Sequence, residues 1–309
     1  MDDAKTTDAG SNRLKKSLGR YGIWSIALRL VNPAQRPELS DAAGELEDLG
    51  YRALWLGASP SARHARIVLE ETSHAAVATS IQPIWEHEPQ DVAKEFAALD
   101  EAHPGRFLLG LGVAHASNTE RYRRPYSAMV EYLDALDAGG QPTERRLLAS
   151  LGPKMLKLAR DRSAGSIPYL VTPEQAAQAR EILGSATLLA PEVKVILETD
   201  PDRARTVARL NLENYLMMPN YANNLLRSGF TEDDLADGGS DRLIDALVAW
   251  GDEETVRKRL DDFLAAGADH VAVQVIHENP ISRKFFVEGQ PLEPALREGW
   301  RRLAPALLQ

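Results

Sequence analysis

Along almost the whole chain, short runs of β-branched and aromatic residues alternate with longer segments of helical period. YGIWSIAL (21–28) reads as a first strand, and PELSDAAGELEDLG (37–50) follows as a helix. In that helix Leu39, Ala43, Leu46 and Leu49 recur at helical spacing and Gly50 supplies the stop. Further strands are predicted at 51–57, 74–84, 105–112, 145–150, 166–171, 191–200 and 269–277, which makes eight. Pro89 opens the helix after the third, with Val92, Phe96 and Leu99 as its apolar stripe. GRFLLGLG (105–112) is apolar on both faces, as a buried parallel strand requires, and a long helix follows over about 119–138. Residues 201–250 are too long for one crossover and read as a helical insertion before the eighth strand.

Alternation of this kind implies a parallel α/β sheet. Eight units predict a closed (β/α)8 TIM barrel rather than an open doubly wound sheet, with functional groups in the loops after the strands. The chain has 309 residues, against about 250 for a typical barrel. That length accommodates one domain over 20–309 and a polar N-terminal tail over 1–19.

Composition narrows the function classes. Lys and Arg number 36 against 45 Asp and Glu, for a formal charge of −9, which argues against a general nucleic-acid binder. There is no cysteine, so thiolate catalysis, disulfides and Cys-ligated metals are excluded. No apolar run reaches the ~18–20 residues of a membrane helix, and the first residues lack a signal-peptide core. A cytoplasmic protein acting on a small molecule is the expectation.

Three stretches stand out at strand ends. The third strand runs into Ser80, Ile81, Gln82 and Pro83, then Trp85. The fourth ends in GLGVAHASN, placing Val113 and His115 just past Gly112. Its GLG could open a dinucleotide fingerprint, but the third glycine is replaced by His115 and no acidic ribose partner is evident. The fifth ends in ASLGPKM, where Gly152 and Pro153 start a helix whose free N–H groups could meet an anion; a bare helix start is the alternative. His87 between Glu86 and Glu88 does not make a metal cluster, because adjacent side chains diverge, and no metal site is assigned.

Taken in order, YGIWS, LGYRALWLG, ATSIQPIWEHEPQDVAKEFAALDEAHPGRFLLGLG and LLASLGPKMLKLARDRSAG resemble the bacterial-luciferase-like superfamily of barrel oxidoreductases. The nearest likeness is to the actinobacterial branch that uses the deazaflavin coenzyme F420, and it spans roughly residues 20–285. The resemblance implies a non-proline cis peptide at Ser80–Ile81 or Ile81–Gln82, on a bulge that backs the cofactor ring. It implies a cofactor site of Ser80, Ile81, Gln82, Val113, Gly152, Pro153 and Met155, with the phosphate near Gly152. It makes His115 the catalytic acid, base or ring-edge donor. Coenzyme F420 is the expected cofactor and FMN the alternative, with a homodimer as the expected assembly. A monooxygenase, or a barrel that binds the ring without turnover, are the competing functions. Gly57-Ala58-Ser59 lacks the Asp-His pair with which the sugar-phosphate dehydrogenase branch oxidises alcohols, so reduction of a carbonyl-conjugated acceptor fits better. Asn211, Asn214, Tyr215 and Tyr221 of the insertion are expected either to line the substrate pocket or to serve as packing and caps.

Overall fold

The computed structural model describes residues 12–116, 119–279 and 290–309. Strands β1 (Tyr21–Ser25), β2 (Ala53–Leu56), β3 (Ala76–Thr79), β5 (Phe107–Gly112), β6 (Arg146–Leu148) and β7 (Gly165–Ser166) pair in parallel in that order. A two-residue strand β4 (Gln82–Pro83) continues the third strand beyond a bulge and also pairs with β5. Strand β8 (Leu188–Leu189) pairs with β7, while β9 (Glu192–Ile196) pairs with β11 (Val271–Val275), which returns to β1. β8 and β9 are two pieces of one strand, parted at Ala190-Pro191, where proline offers no N–H to the ladder. Read through that break, eight strands close a TIM-type barrel.

Alternation sorts the strand side chains into two layers. Ile23, Leu54, Leu56, Val77, Leu109 and Val193 face outward into the helices. Trp24, Trp55, Ala76, Ala78, Leu108, Leu147 and Leu188 face inward and fill the cylinder. The alanines of β3 make room for the indoles of β1 and β2, so volume is balanced across the interior. The helices of the repeating units are α2 (Arg36–Asp48), α3 (Ala62–Glu70), α4 (Pro89–Ala102), α5 (Pro125–Ala138), α6 (Pro153–Arg162) and α7 (Pro173–Leu183). The insertion forms α8 (Pro201–Leu216), α9 (Pro219–Arg227), α10 (Glu232–Leu235) and α11 (Asp241–Leu247), and ends in β10 (Val248–Trp250) on the free side of β9. Helices α12 (Glu253–Ala265) and α13 (Pro294–Leu307) complete the outer ring. No helix among the described residues is long and apolar enough to cross a membrane.

Several expectations change. The tail expected over 1–19 is partly structured: residues 12–18 form a helix, α1, and Leu14 and Leu18 are buried in the inward-facing cluster. Residues 1–11 lie outside the described set. Helix α1 covers the N-terminal end of the cylinder, where buried His270 sits between two fixed partners. Its Nε2 accepts from Trp55 Nε1 at 3.0 Å and its Nδ1 lies 2.8 Å from the Gly19 carbonyl, so the neutral ring carries its proton on Nδ1. The sixth strand, expected over 166–171, ends at Ser166, since Pro168 cannot donate to a ladder and Leu170 turns the chain at φ 56°. The seventh starts at Leu188 and ends at Ile196 instead of running over 191–200. The helix expected from about 119 begins at Pro125, which takes the N1 position.

Candidate active site

The register of three neighbouring strands gathers the singled-out stretches. Gln82 pairs with Leu111 and Leu111 with Leu148, so the loops carrying residues 80–83, 113–115 and 149–152 leave adjacent strands at one level. At the third strand end the Ser80–Ile81 peptide is cis, one of the two positions expected. Ser80 Oγ accepts from Trp24 Nε1 at 2.9 Å, and the indole of Trp24 lies over Gly57, where a Cβ would come within 2.4 Å of it.

The glycines of GLG have a packing reason. A Cβ on Gly110 would stand 1.9 Å from the Thr79 carbonyl oxygen, and one on Gly112 would stand 2.7 Å from the Ile81 side chain. They admit the irregular end of the third strand, and this use replaces the dinucleotide reading. With no side chain at 112, the Ile81 and Ala149 side chains flank the space a Cβ there would take.

A strip results. Ile81, Val113, Ala149, Leu151 and Met155 are apolar or small, yet each is half-buried rather than buried, unlike the strand residues beneath them. The strip leads to the N-terminus of α6. Gly152 is the N-cap there, with Pro153 at N1, and among the described residues no side chain caps the helix and nothing lies within 4 Å of where a Cβ would be. Its first-turn N–H groups are thus open to an anion, in line with the helix dipole. Lys154 and Lys157 of α6 are exposed. At the other end, Gln82 is fully buried and neither of its amide atoms has a partner among the described residues. An unpaired buried amide costs roughly 1–3 kcal/mol, so a bound group that supplies partners is favoured. An apolar strip with a spare amide at one end and an uncapped helix start at the other has the chemistry that a planar ring with an anionic tail would need.

His115 stands beside the strip, half-buried. Its ring meets that of Tyr221 of α9 in a tilted contact, centroids 5.2 Å apart, and Nδ1 lies 2.9 Å from Asn220 Oδ1. Burial lowers its pKa, and the Asn220 hydrogen bond opposes that only in part. The neutral ring therefore donates from Nδ1 and leaves Nε2 as an acceptor. Trp85 donates to the Val113 carbonyl at 2.6 Å and so holds the loop that presents His115.

The insertion closes over the centre of the cylinder. Tyr215 and Tyr221 meet Tyr169, with ring centroids 5.4 and 5.9 Å away, and Tyr169 in turn lies 5.6 Å from Trp24. Asn211 is buried inside α8 and donates to the Val207 and His277 carbonyls, a packing role rather than a cap, whereas Asn214 is exposed. Beneath these rings lies a buried ion pair that the sequence reading did not single out, Lys194 Nζ to Glu192 Oε1 at 3.1 Å. Its signal was partial: in EVKVI the charges alternate with valine, which puts both on one face of the strand without saying which face is inside.

Residues 24–141 match the family model described as luciferase-like monooxygenase. The fold is luciferase-like. A comparison with curated proteins finds no match. Among solved structures, this luciferase-like barrel resembles an F420-dependent secondary alcohol dehydrogenase in complex with an F420–acetone adduct. The TM-score is 0.67 at 14% identity, over 94% of this chain and 99% of that one. It also resembles the coenzyme F420-dependent tetrahydromethanopterin reductase of Methanopyrus kandleri, with TM-score 0.65 and 18% identity over 90% and 99% of the two chains. A third is the oxygenating constituent of 3,6-diketocamphane monooxygenase from Pseudomonas putida in complex with FMN, with TM-score 0.65 and 15% identity over 94% and 98%. At such identities the likeness is one of fold.

Proposed function

We propose that the chain is an oxidoreductase that seats coenzyme F420 across the strip and transfers hydride to or from a small organic substrate. The observation that carries this reading is the half-buried strip from Ile81 over Gly112 and Ala149 to the uncapped N-terminus at Gly152. When bound, a deazaflavin ring supplies a centre that takes up and gives back hydride.

The chain's own residues have separable roles in this proposal. Ser80, Ile81 and Val113 form the shelf under the ring, and Gln82 offers one donor and one acceptor to a polar edge. Gly152, Pro153 and Met155 hold the tail, through first-turn N–H groups and an apolar wall. His115, neutral near pH 7, uses Nε2 to accept a proton or hydrogen bond. The loop at Gly57, Ala58 and Ser59 has no acid or imidazole, so oxidation of an alcohol through such a pair has no residues there. Reduction of an acceptor conjugated to a carbonyl group is the reaction we favour.

The family model is described as a monooxygenase, and one of the similar structures holds FMN, which supports an FMN-dependent monooxygenase as the second reading. Isothermal titration with F420 and FMN separately tests both, with F420 expected to bind the more tightly. Failure of both ligands to bind would overturn the redox reading. His115→Ala should slow turnover about 10²–10⁴-fold if Nε2 moves the proton; unchanged kinetics would reduce His115 to a wall. By the same resemblance we propose a cytoplasmic homodimer, which sedimentation would test for the assembly.

A further inference from the structure

Below the shelf the barrel holds an arrangement that seating a cofactor does not use. Glu192 and Lys194 point inward from β9 with 4% and 1% exposure, in a layer that barrels ordinarily fill with branched aliphatic side chains. Lys194 Nζ lies 3.1 and 3.3 Å from the two carboxylate oxygens of Glu192, which also accepts from the Leu170 backbone N–H. The same ammonium sits 3.9 Å from the ring centre of Tyr169 and 5.1 Å from that of Tyr215. Tyr169 Oη is 3.0 Å from Tyr215 Oη and 3.2 Å from Gln274 Oε1, an atom that can only accept.

Stability does not account for such a pair. Replacing a buried ion pair with apolar groups of similar size is often neutral or stabilising. Its chemistry points to a ligand of one kind. The Glu192 oxygens are taken by Lys194 and Leu170, whereas beyond that carboxylate Lys194 meets aromatic faces among the described residues. The capacity left over is therefore mainly for donating. The walls are rings, and Tyr169 and Tyr215, unlike Lys194 and Glu192, keep a minor part of their surface exposed, against which a flat molecule can lie.

We propose that Lys194, with the Tyr169–Tyr215 hydroxyl pair, is the recognition point for the oxygen of a planar conjugated carbonyl substrate, and that it favours the form in which that oxygen carries negative charge. This rests on the oxidoreductase reading and names the substrate class for the same barrel mouth. Glu192 is a positioning residue that keeps the ammonium in place.

The test needs neither cofactor nor turnover. Titrating the protein into 4-nitrophenol, buffered below the phenol's own pKa, should bring up the coloured phenolate form as it binds. The Glu192→Gln/Lys194→Met double variant removes the ammonium without stranding a buried charge, and its thermal transition verifies folding. It should bind the phenolate at least about tenfold more weakly, the loss expected for one charge-assisted hydrogen bond. Tyr215→Phe, which removes the hydroxyl proton of the pair not committed to Gln274, should weaken it by a smaller factor. Equal phenolate binding by wild type and double variant, binding of the neutral phenol alone, or no binding to the wild type would each overturn the proposal. Titrating F420 and FMN into the same proteins separates the two ideas. If cofactor binds both equally and phenolate binding does not depend on Lys194, only the substrate assignment fails; if neither cofactor binds the wild type, the redox reading fails and the phenolate comparison still stands.

Discussion

Glu192→Gln removes one charge from the buried pair and leaves the Lys194 ammonium enclosed by Tyr169, Tyr215 and the barrel wall. Breaking a buried pair on one side costs about 3–5 kcal/mol. A chain of 309 residues unfolds with an entropy near 0.65 kcal/mol/K at about 2.1 cal/mol/K per residue, so the melting temperature should fall by about 5–8 °C. The deficit should shrink as pH rises. Burial lowers the folded-state pKa of Lys194, and removing the Glu192 carboxylate takes away the charge and hydrogen bond that oppose that fall. In alkaline buffer the folded variant sheds a proton that the unfolded chain keeps, which stabilises it relative to neutral pH. Adding Lys194→Met should restore the melting temperature to the wild-type value or above. Thermal unfolding followed by circular dichroism, at pH 7 and at pH 9, reads all three effects. A single variant within about 1 °C of wild type, or a double variant no more stable than the single, would refute the argument that the pair is buried and mutually dependent.

Other consequences test the strip and the floor. Gly152→Asp places a carboxylate at the N-cap, so it should leave the melting temperature unchanged or slightly raised while weakening cofactor binding about 10–100-fold, as calorimetry can check. Gly110→Ala drives a Cβ into the Thr79 carbonyl and should abolish soluble expression, whereas Gly152→Ala, with open space around it, should fold. Burial lowers the His270 pKa to about 4, against roughly 6.5 in the unfolded chain. Below about pH 6.5 the unfolded chain takes a proton that the folded one refuses, so urea-derived stability should fall by about 3 kcal/mol between pH 6.5 and 4. His64, also lowered to about 4 by burial, adds a smaller share because it is only half-buried.

Much of this layout was legible because the relevant signals are local. Gly152-Pro153 marks a helix start in any fold, and the Ser80–Pro83 stretch interrupts a strand pattern that would otherwise run on. Strand order then places those loops side by side. The unread parts depend on long-range closure. Leu14 and Leu18 are two apolar residues at helical spacing in a polar segment, too few to announce that α1 covers the barrel floor. Tyr169 lies in the stretch assigned to the sixth strand, and its central position follows only once Pro168 and Leu170 end that strand early. The inward charges of β9 become meaningful only when the neighbours of that strand are known, and Val193 and Val195 made it look like an ordinary buried strand.

The account depends most on where a ring and its phosphate would lie. A crystal structure of the protein loaded with F420, or with FMN if that binds more tightly, tests this directly. The ring should rest on Ile81 and Ala149 across Gly112, with its phosphate at the first turn of α6. A ring held elsewhere on the barrel, or a phosphate distant from Gly152, would contradict it.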